Sequence, residues 1–130
     1  MNAPSPHAEF LLLSRGKWDT DSPKEEIEAA IDRFYEWYAG NVASGRFKPG
    51  WRLTTEGATV GKSGITMDGP FGESKEVIGG YWIIVAGSLR EAAEIAAESP
   101  CAQHGLRYEI RPLEAARGSV YHHTNETPGA

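Results

Sequence analysis

Residues 79–85 read Gly79-Gly80-Tyr81-Trp82-Ile83-Ile84-Val85, and the fold is decided by how they are read. Five consecutive large apolar residues without alternation predict a strand buried on both faces, and the paired glycines before them suit unusual backbone angles or close approach of a neighbouring strand. C-terminal to it, Ser88 and Glu91 form a capping-box pattern. Leu89, Ala92, Ala93, Ile95, Ala96 and Ala97 then predict an Ala-rich helix that ends before Pro100. From Arg107 to Pro112 the chain alternates, with Tyr108 and Ile110 on one face and Arg107, Glu109 and Arg111 on the other. That pattern predicts a half-buried strand, placed at an edge because Pro112 ends its row of donors.

On the N-terminal side, Asp68-Gly69-Pro70-Phe71 is a turn segment, preceded by short strand signals at Ile65 to Asp68, Ala58 to Val60 and Trp51 to Thr54. Gly61-Lys62-Ser63-Gly64 links two of them as a tight connection. Further upstream, Ser22 as N-cap, Pro23 at the first helical position and Glu25 open a helix whose apolar stripe is Ile27, Ala30, Ile31, Phe34, Tyr38 and Val42. It is expected to run to about Ser44-Gly45, and Phe10 to Ser14 predicts the first strand. Strand, helix, strand, hairpin insertion, strand, helix, strand is two split βαβ halves, which predicts an α+β sandwich of ferredoxin-like topology. Two helices cover only one face of such a sheet. Because Phe10 to Leu13 and Tyr81 to Val85 are apolar throughout, a second copy of the chain is expected on the other face, giving a homodimer.

A chain of 130 residues fits one domain, and 40% hydrophobic with 24% charged residues is an ordinary globular composition. The expected core spans about residues 9–114, between mobile tails at 1–8 and 115–130 that are rich in Pro, Gly and small polar residues. A net charge of −5 argues against general nucleic-acid or anionic-membrane binding. With no apolar run long enough to cross a bilayer and a single cysteine, Cys101, the expectation is a cytoplasmic protein. His122-His123 and the Asn125-Glu126-Thr127 sequon fall in the C-terminal tail and point to no function, and His104 stands alone in a loop. Gly61-Lys62-Ser63 is no P-loop, since position 56 is Glu56 where the first glycine is needed and a strand signal follows. No residues have metal-ligand spacing, no nucleophile motif is present, and no cofactor is expected.

Chemistry concentrates in residues 68–76, where Asp68, Glu73 and Glu76 accompany Lys75 around the Pro70-Phe71 turn. A carboxylate beside a pocket can act as general base, and Lys75 can hold or polarise an anion. Equally, Asp68 can cap its own turn, Phe71 can anchor the loop, and the charges can be solvated ion pairs. Asp68, Glu73 and Lys75 are the candidate catalytic residues, with Phe71, Tyr81 and Arg111 as candidate ligand contacts. Arg111 can bind a small anionic or carboxylate ligand or pair with neighbouring acids. Residues 37–67 carry four basic residues against Glu56, while seven acidic residues crowd Asp19 to Glu36. That asymmetry fits solvated faces, subunit pairing or anion attraction.

The run Asp68-Gly69-Pro70-Phe71-Gly72-Glu73-Ser74-Lys75-Glu76, then Gly79-Gly80-Tyr81, a helix, and Tyr108-Glu109-Ile110-Arg111-Pro112, resembles the DGPF branch of the YCII-related proteins. The resemblance covers about residues 9–113. It implies a dimeric α+β barrel of ferredoxin-like topology. Some members of the wider group carry an early histidine paired with an acid as a suggested acid/base couple. Here no histidine lies between His7 and His104, so that couple does not carry over and proton transfer falls to carboxylates, Lys75 or tyrosines. Two functions are compatible with these features. One is a small-molecule binder in the barrel cleft, with or without cofactor-free isomerase or lyase chemistry. The other is a non-catalytic interaction module serving sigma-factor-type transcription regulators, as relatives of this branch suggest. A closed pocket with buried Asp68 or Lys75 would favour the first, and a filled, flat surface the second.

Overall fold

The computed structural model describes residues 7–67 and 77–129, so Asp68, Phe71, Glu73 and Lys75 lie outside the described residues. Along the chain run β1 (Ala8–Arg15), α1 (Lys24–Ala43), β2 (Phe47–Arg52), β3 (Thr59–Gly61), β4 (Gly64–Thr66), β5 (Ile78–Ala86), α2 (Leu89–Ala96), a 3₁₀ turn (Pro100–His104) and β6 (Arg107–Pro112). Four strands form one sheet in the order β2-β5-β1-β6, with every neighbouring pair antiparallel. The β3–β4 hairpin is a separate two-stranded sheet. This antiparallel α+β arrangement with two helices agrees with the ferredoxin-like expectation, and both strands that contain a proline, β2 and β6, lie at edges.

Burial explains why β5 is apolar without alternation. Trp82, Ile84 and Ala86 are buried beneath the helices, whereas Tyr81, Ile83 and Val85 on the opposite face are only half-buried. On β1, Phe10 and Leu12 face the helices while Leu11 and Leu13 join the open face. Ala92, Ile95 and Ala96 of α2 and Phe34, Trp37, Tyr38 and Val42 of α1 close over the covered side. Leu12, Phe47 and Ile84 are its largest fully buried side chains, each stabilising by about 1.5–3 kcal/mol. At its centre Trp82 is surrounded by Phe34, Trp37, Tyr38, Phe47 and Tyr108, with ring centroids 5.5 to 6.4 Å away. Its indole N–H has no hydrogen-bond acceptor among the described residues. Aromatic faces, which accept only weakly, surround it instead.

Two local expectations need correction. Ser22 does not cap α1: Pro23 is the N-cap, no side chain caps the helix, and Ser22 Oγ lies 3.3 Å from His104 Nδ1. A proline already at φ −61° leaves the first turn bonded to its own carbonyl, through Glu26 and Ile27 N–H at 3.1 Å. Second, β2 begins at Phe47 and not at Trp51, because Pro49-Gly50 makes a bulge within an edge strand instead of ending it. α2 ends before Pro100, as the sequence predicts, and Pro100 opens a 3₁₀ turn capped by Ser99, whose Oγ accepts from Cys101 N–H. The capping box at α2 does form in part. Ser88 Oγ accepts from Glu91 N–H at 3.0 Å, while Glu91 reaches back to Gly87 N–H. No helix among the described residues is long and apolar enough to cross a membrane.

Candidate functional site: an aromatic cavity at the end of the sheet

At the end of the sheet where β1 finishes and β5 begins, small residues replace the large core side chains. Ser14 and Gly80 are register partners on the face that carries Leu12 and Trp82 further in. Above them α1 continues with Ile31, Phe34, Tyr35 and Tyr38, spaced to present one stripe. Helix and sheet cannot close on each other where the sheet side lacks side chains. The result is an open cavity of about 610 Å³, walled by Trp18, Phe34, Tyr35, Tyr38, Trp82 and Tyr108 and bordered by Trp51, Val77, Tyr81 and Leu106. That volume lies within the range of small-molecule sites.

Gly50 holds the β2 side of this cavity in place. A Cβ on it would lie 1.8 Å from the Tyr81 carbonyl oxygen, so only glycine lets β2 approach β5 there. The Gly50 N–H donates to the Tyr38 hydroxyl at 3.0 Å, joining α1 to β2. The Tyr38 hydroxyl proton in turn has no acceptor among the described residues. Across the cavity, the loop with Lys17 and Trp18 is fixed at both ends, by Gly16 N–H on Val77 O at 3.2 Å and Asp19 N–H on His104 O at 2.8 Å. Gly105, at φ +108°, lies so close beneath this loop that a Cβ would be 2.5 Å from the Lys17 carbonyl.

The charge on the described part of the lining has one sign. Lys17 and Arg52 are its ionic residues among those described, and neither is in an ion pair. No carboxylate and no imidazole lines the described part. Two acidic hydrogens on the wall are held by the protein. Burial pushes the Tyr108 phenol up to about 12, with the 2.8 Å hydrogen bond to Ser99 only partly offsetting it. Burial also raises the Cys101 thiol, against a smaller opposing effect of Arg33. Both groups are neutral at physiological pH and so act as polar walls rather than bases or nucleophiles.

Of the sequence candidates within the described residues, Tyr81 borders the cavity and Arg111 does not. Arg111 is the register partner of Leu11, on the open face of the sheet, where it donates to Glu109 at 3.2 Å. Arg15 bonds the same carboxylate, and the two guanidinium groups hold Glu109 below its ordinary range. Lys48 pairs with Glu9 on that face too. Val77, the first described residue after segment 68–76, is on the cavity border. Lys17, Trp18 and Tyr35 escape motif reading, although the dense run Phe34-Tyr35, Trp37-Tyr38 on one helix is a signal that more than core packing is served. Among the described residues no group of three or more His, Cys, Asp or Glu is placed to hold a metal.

The chain matches the YCII-related domain over residues 8–114. It is also 38% identical over 96 residues to an uncharacterised protein of Rhizobium meliloti (strain 1021), an alignment that covers 69% of this chain and 77% of that protein. The matched range contains every strand and helix of the sheet and all of the cavity wall. The chain therefore belongs to the YCII-related family, whose domain is without an assigned function.

Proposed function

We propose that this protein binds a small molecule in the cavity between α1 and the end of the sheet, and that it does so as a homodimer within the DGPF branch of the family. The observation that carries the reading is the cavity itself: six aromatic side chains over a glycine- and serine-floored end of the sheet, where a filled surface would favour an interaction module. Dimerisation is supported by the open sheet face, where Leu11, Leu13, Ile83 and Val85 form a half-buried apolar centre between the Glu9–Lys48 pair and the Arg15–Glu109–Arg111 cluster. Any isomerase or lyase step on this reading falls to Asp68, Glu73 or Lys75, since the described lining supplies no carboxylate or imidazole.

The test is a thermal-shift screen of small aromatic and aliphatic compounds, neutral and charged, on the wild type and on Ser14→Phe, which fills the cavity floor. A ligand at a hundred times its Kd adds about 2.7 kcal/mol of stability to the protein that binds it. Shifts are expected in the wild type and not in Ser14→Phe. No shift with any compound, or equal shifts in both proteins, overturns the cavity as the site. Multi-angle light scattering at micromolar concentration tests the dimer, and a mass of 14.2 kDa alone refutes it.

A further inference from the structure

The chemistry of the wall says more about the ligand than its volume does. Flat rings dominate the lining, and several are held in place: Phe34 and Tyr38 stack on each other and meet the edge of Trp82, which is 5% exposed, and Tyr108 is held by Ser99. Rigid aromatic walls reward a planar, weakly hydrated ligand, because little side-chain entropy remains to be lost on binding. The polar groups have a common sense as well. Lys17 and Arg52 lack counter-ions among the described residues, Arg52 being the register partner of Gly80 at the cavity floor, and no described carboxylate opposes them. The Tyr38 hydroxyl proton is a further donor without an acceptor among the described residues. Donors and cations on a wall whose described part carries no carboxylate favour negative charge in the ligand.

We infer that the cavity takes an aromatic anion, with its ring among Phe34, Tyr35, Tyr38 and Trp82 and its negative group directed to Lys17 and Arg52. This rests on the cavity being the binding site and adds the class of ligand. Both cations are exposed, so their attraction is screened by salt, whereas ring burial is not.

Calorimetric titration of the full chain with 2-naphthoate, with its neutral counterpart 2-naphthalenemethanol and with acetate separates the terms. The naphthoate should bind about tenfold more tightly than the alcohol at low salt, and acetate should give no measurable binding. Raising salt from about 20 mM to about 0.5 M should shrink the gap between the ring compounds severalfold. Lys17→Met and Arg52→Met should each weaken naphthoate a few-fold and leave the alcohol unchanged. If the alcohol binds as tightly as the naphthoate, or if both variants keep the full preference, the anion assignment is wrong while the cavity remains a binding site. Binding of acetate as tight as that of naphthoate refutes the role of the ring. If neither ring compound binds at millimolar concentration, the aromatic-anion assignment fails; the binding reading itself then stands or falls on the broader thermal-shift screen.

Discussion

Replacing Gly50 by alanine tests whether the cavity depends on the close approach of β2 to β5. The added Cβ would lie 1.8 Å from the Tyr81 carbonyl oxygen, 2.6 Å from its carbon and 2.8 Å from Trp82 Cα, all rigid backbone. To restore a 3.0 Å contact, β2 must retreat by roughly 1 Å. Such a shift breaks hydrogen bonds that are now 2.7 to 3.0 Å long: Gly50 N–H to Tyr38, Leu53 N–H to Gly79 and Val85 N–H to Arg46. At about 1 kcal/mol each, their loss destabilises the fold by about 3 kcal/mol, a large part of the roughly 5–15 kcal/mol of a typical domain. Gly40→Ala is the matched control. Gly40 lies inside α1 with nothing within 4 Å of a new Cβ, so the same chemical change should stabilise by about 0.5–1 kcal/mol. Urea unfolding followed by circular dichroism reads both, and with an m-value of about 1.5 kcal/mol per M the Gly50→Ala midpoint should fall by about 2 M. A loss below about 1 kcal/mol in Gly50→Ala, or the same sign of change in both variants, would refute the argument.

Three further outcomes are expected. The folded Tyr108 phenol titrates near 12 and the unfolded one near 10.0, so the unfolded chain loses its proton first and stability should fall by about 2–3 kcal/mol between those pH values; Tyr108→Phe should lack that component when the two are unfolded side by side across the alkaline range. For Glu109 the sign is opposite, because Arg15 and Arg111 depress its pKa from 4.5: its contribution is present above the unfolded pKa and lost as pH falls through the folded one, and acid titration of Glu109→Gln should show a shallower loss than the wild type. Ser88→Ala removes the acceptor of the Glu91 N–H at the start of α2 and should cost about 1 kcal/mol, read as a lower thermal midpoint.

Much of the architecture is legible in the order of residues because it depends on local patterns. The Ser88–Glu91 box, the alternation from Arg107 to Pro112 and the 27-30-31-34-38 stripe each lie within one element, so period and capping chemistry suffice to locate them. The same reasoning gave the element order and hence the antiparallel α+β sheet. It failed at Pro49-Gly50, where two residues that usually end a strand make a bulge inside β2, a result that depends on the partner β5 and on an edge position. It failed at Ser22 as well, since a capping side chain can be drawn to a distant group, here His104.

The cavity belongs to the tertiary structure alone. Lys17, Tyr38, Arg52 and Tyr108 are spread over about ninety residues of sequence and share no spacing, and they come together because β1 and β2 finish and β5 and β6 begin on the same side beneath α1. The sequence determined which side chains are aromatic and that Gly79 and Gly80 precede the central strand. Register decided that Gly80 would meet Ser14 and Arg52 on the covered face and that Arg111 would stand on the other one, beside Glu109. The physical reason is the two-residue period of a strand: one step of register moves every side chain to the opposite face, and that step is set by pairing with strands distant in the chain.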